Sequence, residues 1–241
     1  MKTEGFFIKF IDKQYIDDMA KGNYFFRNIN HFKILEEDEL IGIKDPKEGT
    51  YQKDLNMHNH IIKLGYKGNQ LDVPITKATL SYEYEDTNRI AIMSLLFLPL
   101  TDFVKDPINK NWLMIKPEVI KEIGEEFNGR PCLMIPGGEF MEQITEHNFE
   151  KDNVTMCKTG LINYYSKRNS EKNPNKMTKE DVFDLCFQKE EFFSKQREFR
   201  VALGLKKDGS DCKIKFKNKS KYIIKCESYK KLNDFRIQIE D

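Results

Sequence analysis

The segment FFSKQREFRVALGL, residues 192–205, holds the side chains best suited to chemistry. Read as a strand, it alternates its side chains between two faces. Phe199, Val201, Leu203 and Leu205 fall on one face; Gln196, Glu198, Arg200, Ala202 and Gly204 fall on the other. Burying the apolar face leaves Gln196, Glu198 and Arg200 in a row with small residues beyond them, as in the floor of a cleft. Arg200 beside Glu198 would hold that carboxylate ionised, because a nearby opposite charge favours the charged form. The plainer alternative is a surface ion pair on a half-exposed strand.

A second group lies in YFFRNINHFKILEEDELIGIKDPKEGTY, residues 24–51. Arg27 ends an aromatic strand. Asp45 and Glu48 sit on a loop shaped by Gly42, Pro46 and Gly49, where carboxylates can be aimed. The alternative there is a solvated acidic turn. Glu36, Glu37, Asp38, Asp45 and Glu48 do not have the spacing of a calcium-binding loop. His58 and His60 would share a strand face, but no third metal ligand stands at a characteristic spacing, so no metal site is expected. His31 and His147 read as packing or surface residues. Phosphate-loop, dinucleotide-binding, serine-hydrolase, zinc-protease and kinase motifs are all missing from the sequence. Gly137-Gly138 reads as a tight turn before a helix.

These side chains need elements to hold them. Strands are expected over 6–10, 23–27, 58–66, 76–84, 89–98, 112–116, 130–135, 154–165, 196–205, 212–217, 221–227 and 235–239. Ile90 to Leu98 is almost continuously apolar, which predicts a central strand buried on both faces. Helices are expected over 13–21, where Gly22 suits the left-handed residue after a helix end, over 117–127, 138–149 and from Thr178 onward, with a helical turn over 30–38. Asp208-Gly209 signals a hairpin between the strands on either side of it. Lys167 to Thr178 is polar and reads as a mobile loop. The fold class is therefore α+β: one domain over 1–241, with mixed or antiparallel sheets, several short helices and a strand-rich C-terminal third.

Composition agrees with a folded, soluble chain. It has 241 residues, and 18 Phe with 10 Tyr supply enough aromatic surface to offset chain entropy. Forty Lys and Arg against 39 Asp and Glu give a net charge of +1, which is not the profile of a DNA-coating protein. The lysines nevertheless cluster late, at 206, 207, 213, 215, 217, 219, 221, 225, 230 and 231. That strip could touch phosphate or an acidic protein, or could be a solvated strand face. Five widely spaced cysteines with no CxxC argue against a disulfide framework or zinc ribbon. The apolar start is broken by Lys9 and the longest apolar run by Ser94 and Pro99, so neither a signal peptide nor a membrane span is expected, and the location is expected to be cytoplasmic.

The aromatic strand with its Asp and Glu-Gly loop, the strand RIAIMSLLF and the late QREFRVAL together resemble an uncharacterised bacterial and phage family associated with antiviral defence. Gln196-Arg197-Glu198 is also similar to the Gln-x-Glu or Glu-x-Glu of ADP-ribosyltransferases. That resemblance implies NAD as the cofactor, Glu198 stabilising an oxocarbenium-like transition state by fixed charge, and Gln196 orienting the acceptor. It assigns Arg200 a supporting role. It expects a cation on an early strand, for which Lys9 or Arg27 are candidates, and a hydroxyl on a middle strand, for which Ser94 is one. Arg27, Ser94, Asp45 and Glu48 would face the cofactor. Two other functions fit the same sequence: a sensor or inhibitor in phage defence that binds a protein or nucleic acid through the late lysines, and a metal-dependent nuclease using Asp45, Glu48 and Glu198.

Overall fold

The structure is a computed structural model and describes residues 4–34, 47–66, 69–166, 173–217 and 220–238. In chain order its strands are β1 (Gly5–Phe10), β2 (Asn23–Asn28), β3 (Tyr51–Tyr66), β4 (Asn69–Tyr82), β5 (Ile90–Pro99), β6 (Phe103–Lys105), β7 (Trp112–Ile115) and β8 (Cys132–Pro136). They continue with β9 (Val154–Leu161), β10 (Asn163–Tyr165), β11 (Gln188–Glu190), β12 (Glu198–Leu205), β13 (Cys212–Lys215), β14 (Ile224–Cys226) and β15 (Arg236–Gln238). The α-helices are α1 (Ile16–Ala20), α2 (Ile29–Ile34), α3 (Pro117–Phe127), α4 (Gly137–Glu146) and α5 (Lys179–Asp184). The class is α+β and strand-rich, as the pattern of alternating and continuous apolar runs implies.

Local chemistry accounts for several boundaries. Pro117 opens α3 at a position where its missing N–H has no partner to lose, and the chain leaves through Gly129 at φ 75°. Thr178 and Asp181 close a reciprocal capping box at the start of α5. That helix follows directly on the polar segment expected to be a loop, of which residues 167–172 lie outside the described residues. β3 and β4 form a long hairpin that begins at Tyr51, earlier than the sequence suggested, and among the described residues they pair only with each other.

β5 is the centre of the main sheet. β12 runs antiparallel along one edge, with Arg200 opposite Ser94 and Glu198 opposite Leu96. The other edge is shared: β1 pairs with Leu96 to Pro99, and β2 pairs with Ala91 and Ile92. β9 continues the sheet beyond β12; β8 and β14 continue it beyond β1; β13 continues it beyond β2. The hairpin expected at Asp208-Gly209 does not form, because β13 pairs with β2 and not with β12. Gly209 takes φ 65° and donates its N–H to the Asn88 carbonyl, so the turn is fixed by a distant loop.

The two faces of this sheet differ. One is apolar apart from Lys9: Phe7, Met93, Leu95, Phe199, Val201 and Leu203 pack beneath Phe140 and Ile144 of α4. Each such side chain contributes about 1.5–3 kcal/mol by leaving water. On the opposite face, Ile90, Ile92 and Ala202 join Ile29 and Phe187 in one cluster, while Ile8, Leu96 and Leu98 join Val119, Ile120 and Ile123 of α3 in another. Ser94, Glu198 and Arg200 stand on that face between the two apolar clusters.

Candidate functional site

β12 is buried on both faces, so the polar row is neither a cleft floor open to water nor a surface ion pair. Arg200 is 1% exposed and Glu198 is 4% exposed. Charges this deep are tolerated only when they are paired and hydrogen-bonded. The pairing is complete. Arg200 presents its fork to Glu48, with Nη1 to Oε1 at 2.5 Å and Nη2 to Oε2 at 3.3 Å. Its Nε donates to Glu198 Oε1 at 2.7 Å, and Nη1 also reaches the carbonyl of Cys186. Lys189 on β11 donates to Glu198 Oε2 at 2.8 Å and to Gln196 Oε1 at 3.2 Å, and lies 3.9 Å from Glu48. Two carboxylates and two cations make a neutral quartet.

Ser94 completes the coordination by donating its hydroxyl to Glu198 Oε1. On the far edge of β5, Lys9 donates to the Ser94 carbonyl at 2.8 Å. That carbonyl lies in the stretch between the pairings of β1 and β2, so the ammonium takes the place of a missing ladder partner. Burial, and next the neighbouring Arg130 charge, lower the Lys9 pKa to about 8, against an opposing pull from Glu198. At Glu198, burial alone would raise the pKa. The charges of Arg200 and Lys189, with the bonds from Lys189 and Ser94, outweigh it and hold the carboxyl at about 2. The expectation that Arg200 keeps Glu198 ionised thus has a geometry.

The structure brings together Gln196, Glu198, Arg200, Glu48 and Ser94. Gln196 gets there by another route than strand alternation: it ends a 3-10 turn over Glu191–Gln196, and Arg197 at φ 46° resets the chain before β12 begins. Glu48 is not a solvated acid, at 2% exposure. Arg27 is elsewhere, exposed on β2, where it touches His31 and lies 5.7 Å from the Phe25 ring centroid. Asp45 lies outside the described residues. Lys189 escaped the sequence reading, and its only signal is a lysine set among Phe187, Phe192 and Phe193. Tyr164 escaped it too; its hydroxyl accepts the Glu198 N–H at 2.9 Å.

An open cleft of about 380 Å³ lies at the start of β12, bounded by Phe97, Leu161, Ile162, Tyr164, Arg197 and Glu198 among others. Arg197 is tied there to Asp102 at 2.5 Å and to Glu122 at 3.1 Å. The Glu198 carboxylate stays behind this rim, with both oxygens engaged. For a metal, Glu48 and Glu198 offer little surplus negative charge, since Arg200 and Lys189 balance them. Among the described residues no group of three His, Cys, Asp or Glu side chains is placed to hold a metal ion, and no helix is long and apolar enough to cross a membrane. No family model, curated protein or solved structure matches the chain.

Because the Glu198 pKa is depressed in the folded state, its contribution to stability is present above the unfolded value near 4.5 and is lost as pH falls toward about 2. Urea unfolding of the wild type should therefore weaken steeply between pH 4.5 and 3. In Glu198→Gln that slope should be shallower, and equal slopes would show that Glu198 does not carry the effect.

Proposed function

We propose that the chain is a binding module whose late lysines meet an anionic partner, with the buried quartet acting as a structural clamp. The observation that carries this reading is the contrast between two sets of charges. The set in and around β12 is sealed and internally neutral. The set after residue 205 is open: Lys206, Lys207, Lys215, Lys217, Lys221 and Lys230 are exposed and make no ion pair among the described residues. Lys213 and Lys225 hold Asp18 and Asp17 at 2.5 Å each, which neutralises those two acids. Lys215 stands opposite Asn23, and the N–H of Phe216 bonds the Gly22 carbonyl, which brings Lys217 beside the exposed Lys21. Such a strip suits a row of phosphates better than a single small anion.

A second reading, an NAD-dependent ADP-ribosyltransferase-like effector in phage–host conflict, is favoured by a different observation. Lys9 bonds the Ser94 main-chain carbonyl and the Ser94 hydroxyl bonds Glu198, which links β1, β5 and β12. The residue types match the early cation, middle hydroxyl and late acid of the resemblance, with the Lys9 side chain leaving β1 on the face of Phe7 and Leu133, opposite to Glu198. Both Glu198 oxygens are occupied as the site stands, so NAD does not fit there without displacement of Lys189. No catalytic step is derived through it.

Binding of fluorescent double-stranded DNA, single-stranded RNA and polyglutamate, titrated with salt, tests the first reading. At least one should bind with a slope of log K against log salt of about −2 to −3, as expected for three or so neutralised charges. Changing Lys215, Lys217 and Lys221 together to Gln should weaken it at least about tenfold at low salt. Binding to none of the three, or binding indifferent to that triple change, would overturn it. For the second reading, the protein incubated with NAD should release nicotinamide, and Glu198→Gln should abolish the release. No release from the wild type sinks that reading without touching the first.

A further inference from the structure

Cys132 on β8 and Cys226 on β14 stand directly opposite one another in an antiparallel pair. Directly opposed residues lie about 4.5–5.5 Å apart at Cα, inside the span of about 4.4–6.8 Å that a disulfide bridges. Both side chains project into the same apolar cluster, with Phe10, Ile123 and Leu232. Their proximity couples the two thiols, raising the Cys132 pKa and lowering that of Cys226. The other three cysteines, Cys157, Cys186 and Cys212, lie on β9, in the turn before β11 and on β13, in other parts of the core.

We propose that Cys132 and Cys226 are a cross-strand dithiol that a small-molecule disulfide converts to an intrachain disulfide. β14 has three residues and, among the described residues, pairs only with β8, so both thiols are uncovered when that short edge strand opens. The Cys226 thiolate attacks one sulfur of the small disulfide, forming a mixed disulfide and expelling one small thiolate. The Cys132 thiolate then attacks Sγ of Cys226 and expels the second. The two protein thiols are oxidised, the small disulfide is reduced to two thiols, and the two protons leave with them. The product ties the C-terminal strands to the central sheet and removes chain freedom from the unfolded state.

The test is exposure of the full chain to oxidised glutathione, followed by peptide mapping without reduction. The expected result is a linked pair of peptides carrying Cys132 and Cys226, lighter by two hydrogens than the free pair. Tm should rise by about 10 °C and return on treatment with a dithiol reductant. Glutathione adducts without that linked pair, or a disulfide through Cys157, Cys186 or Cys212 instead, would overturn the proposal. Cys226→Ser should lose the linked pair while Cys157 and Cys212 react as before. An intrachain disulfide at Cys132 surviving in that variant would also overturn it. The wild-type map decides the matter even if the variant folds poorly.

Discussion

A guanidinium keeps its charge at any pH a protein meets, and Arg200 has lost almost all contact with water. Removing such a group from water is unfavourable by several kcal/mol, and only near-ideal pairing offsets it. That requirement reaches far along the chain. Glu48 must arrive from the loop before β3, Lys189 from β11, the Cys186 carbonyl from the turn before β11, and Glu198 from two residues away on β12 itself. Three segments are thereby fixed relative to one sheet. An apolar quartet of the same volume could stabilise the fold as well or better, but it would not demand these partners in these places. The gain we assign to the charges is specificity of arrangement.

The polar quartet also explains the division of that face of the sheet. Apolar side chains pack against it at both ends, around α2 and α5 on one side and α3 on the other. Water is excluded from the middle by these neighbours, which strengthens each pairing. Lys9 extends the same logic across β5. Where β1 and β2 part, its ammonium supplies the Ser94 carbonyl with a donor, and the Ser94 hydroxyl is engaged by Glu198. One residue thus couples the gap on one edge of β5 to the quartet beside the other.

Much of this was legible in the sequence where the signal is local. The continuous apolar run of β5, Pro117 at the start of α3 and the Thr178–Asp181 cap each depend on near neighbours in the chain, and the elements appear where those signals put them. The alternation of β12 is also local, and it placed Glu198 and Arg200 on one face. Whether that face is wet or dry is not local. It depends on Glu48, 152 residues from Arg200, which reads as a surface acid until its partner is seen. Gln196 joined the right group for the wrong reason, since a left-handed Arg197 gives no sequence signal comparable to glycine. Asp208-Gly209 makes a turn without a hairpin: β5 and β9 occupy both edges of β12, and β13 pairs with β2.

The most direct measurement is a double-mutant cycle between Glu48 and Arg200, with Glu48→Gln, Arg200→Gln and the pair compared by urea unfolding at pH 7. If the two groups clamp the loop to the sheet, the single changes will each be strongly destabilising, and the double will recover about 2 kcal/mol or more of their sum. Effects that add to within about 0.5 kcal/mol would mean that the guanidinium and the carboxylate do not depend on each other, and the account would fail at its root.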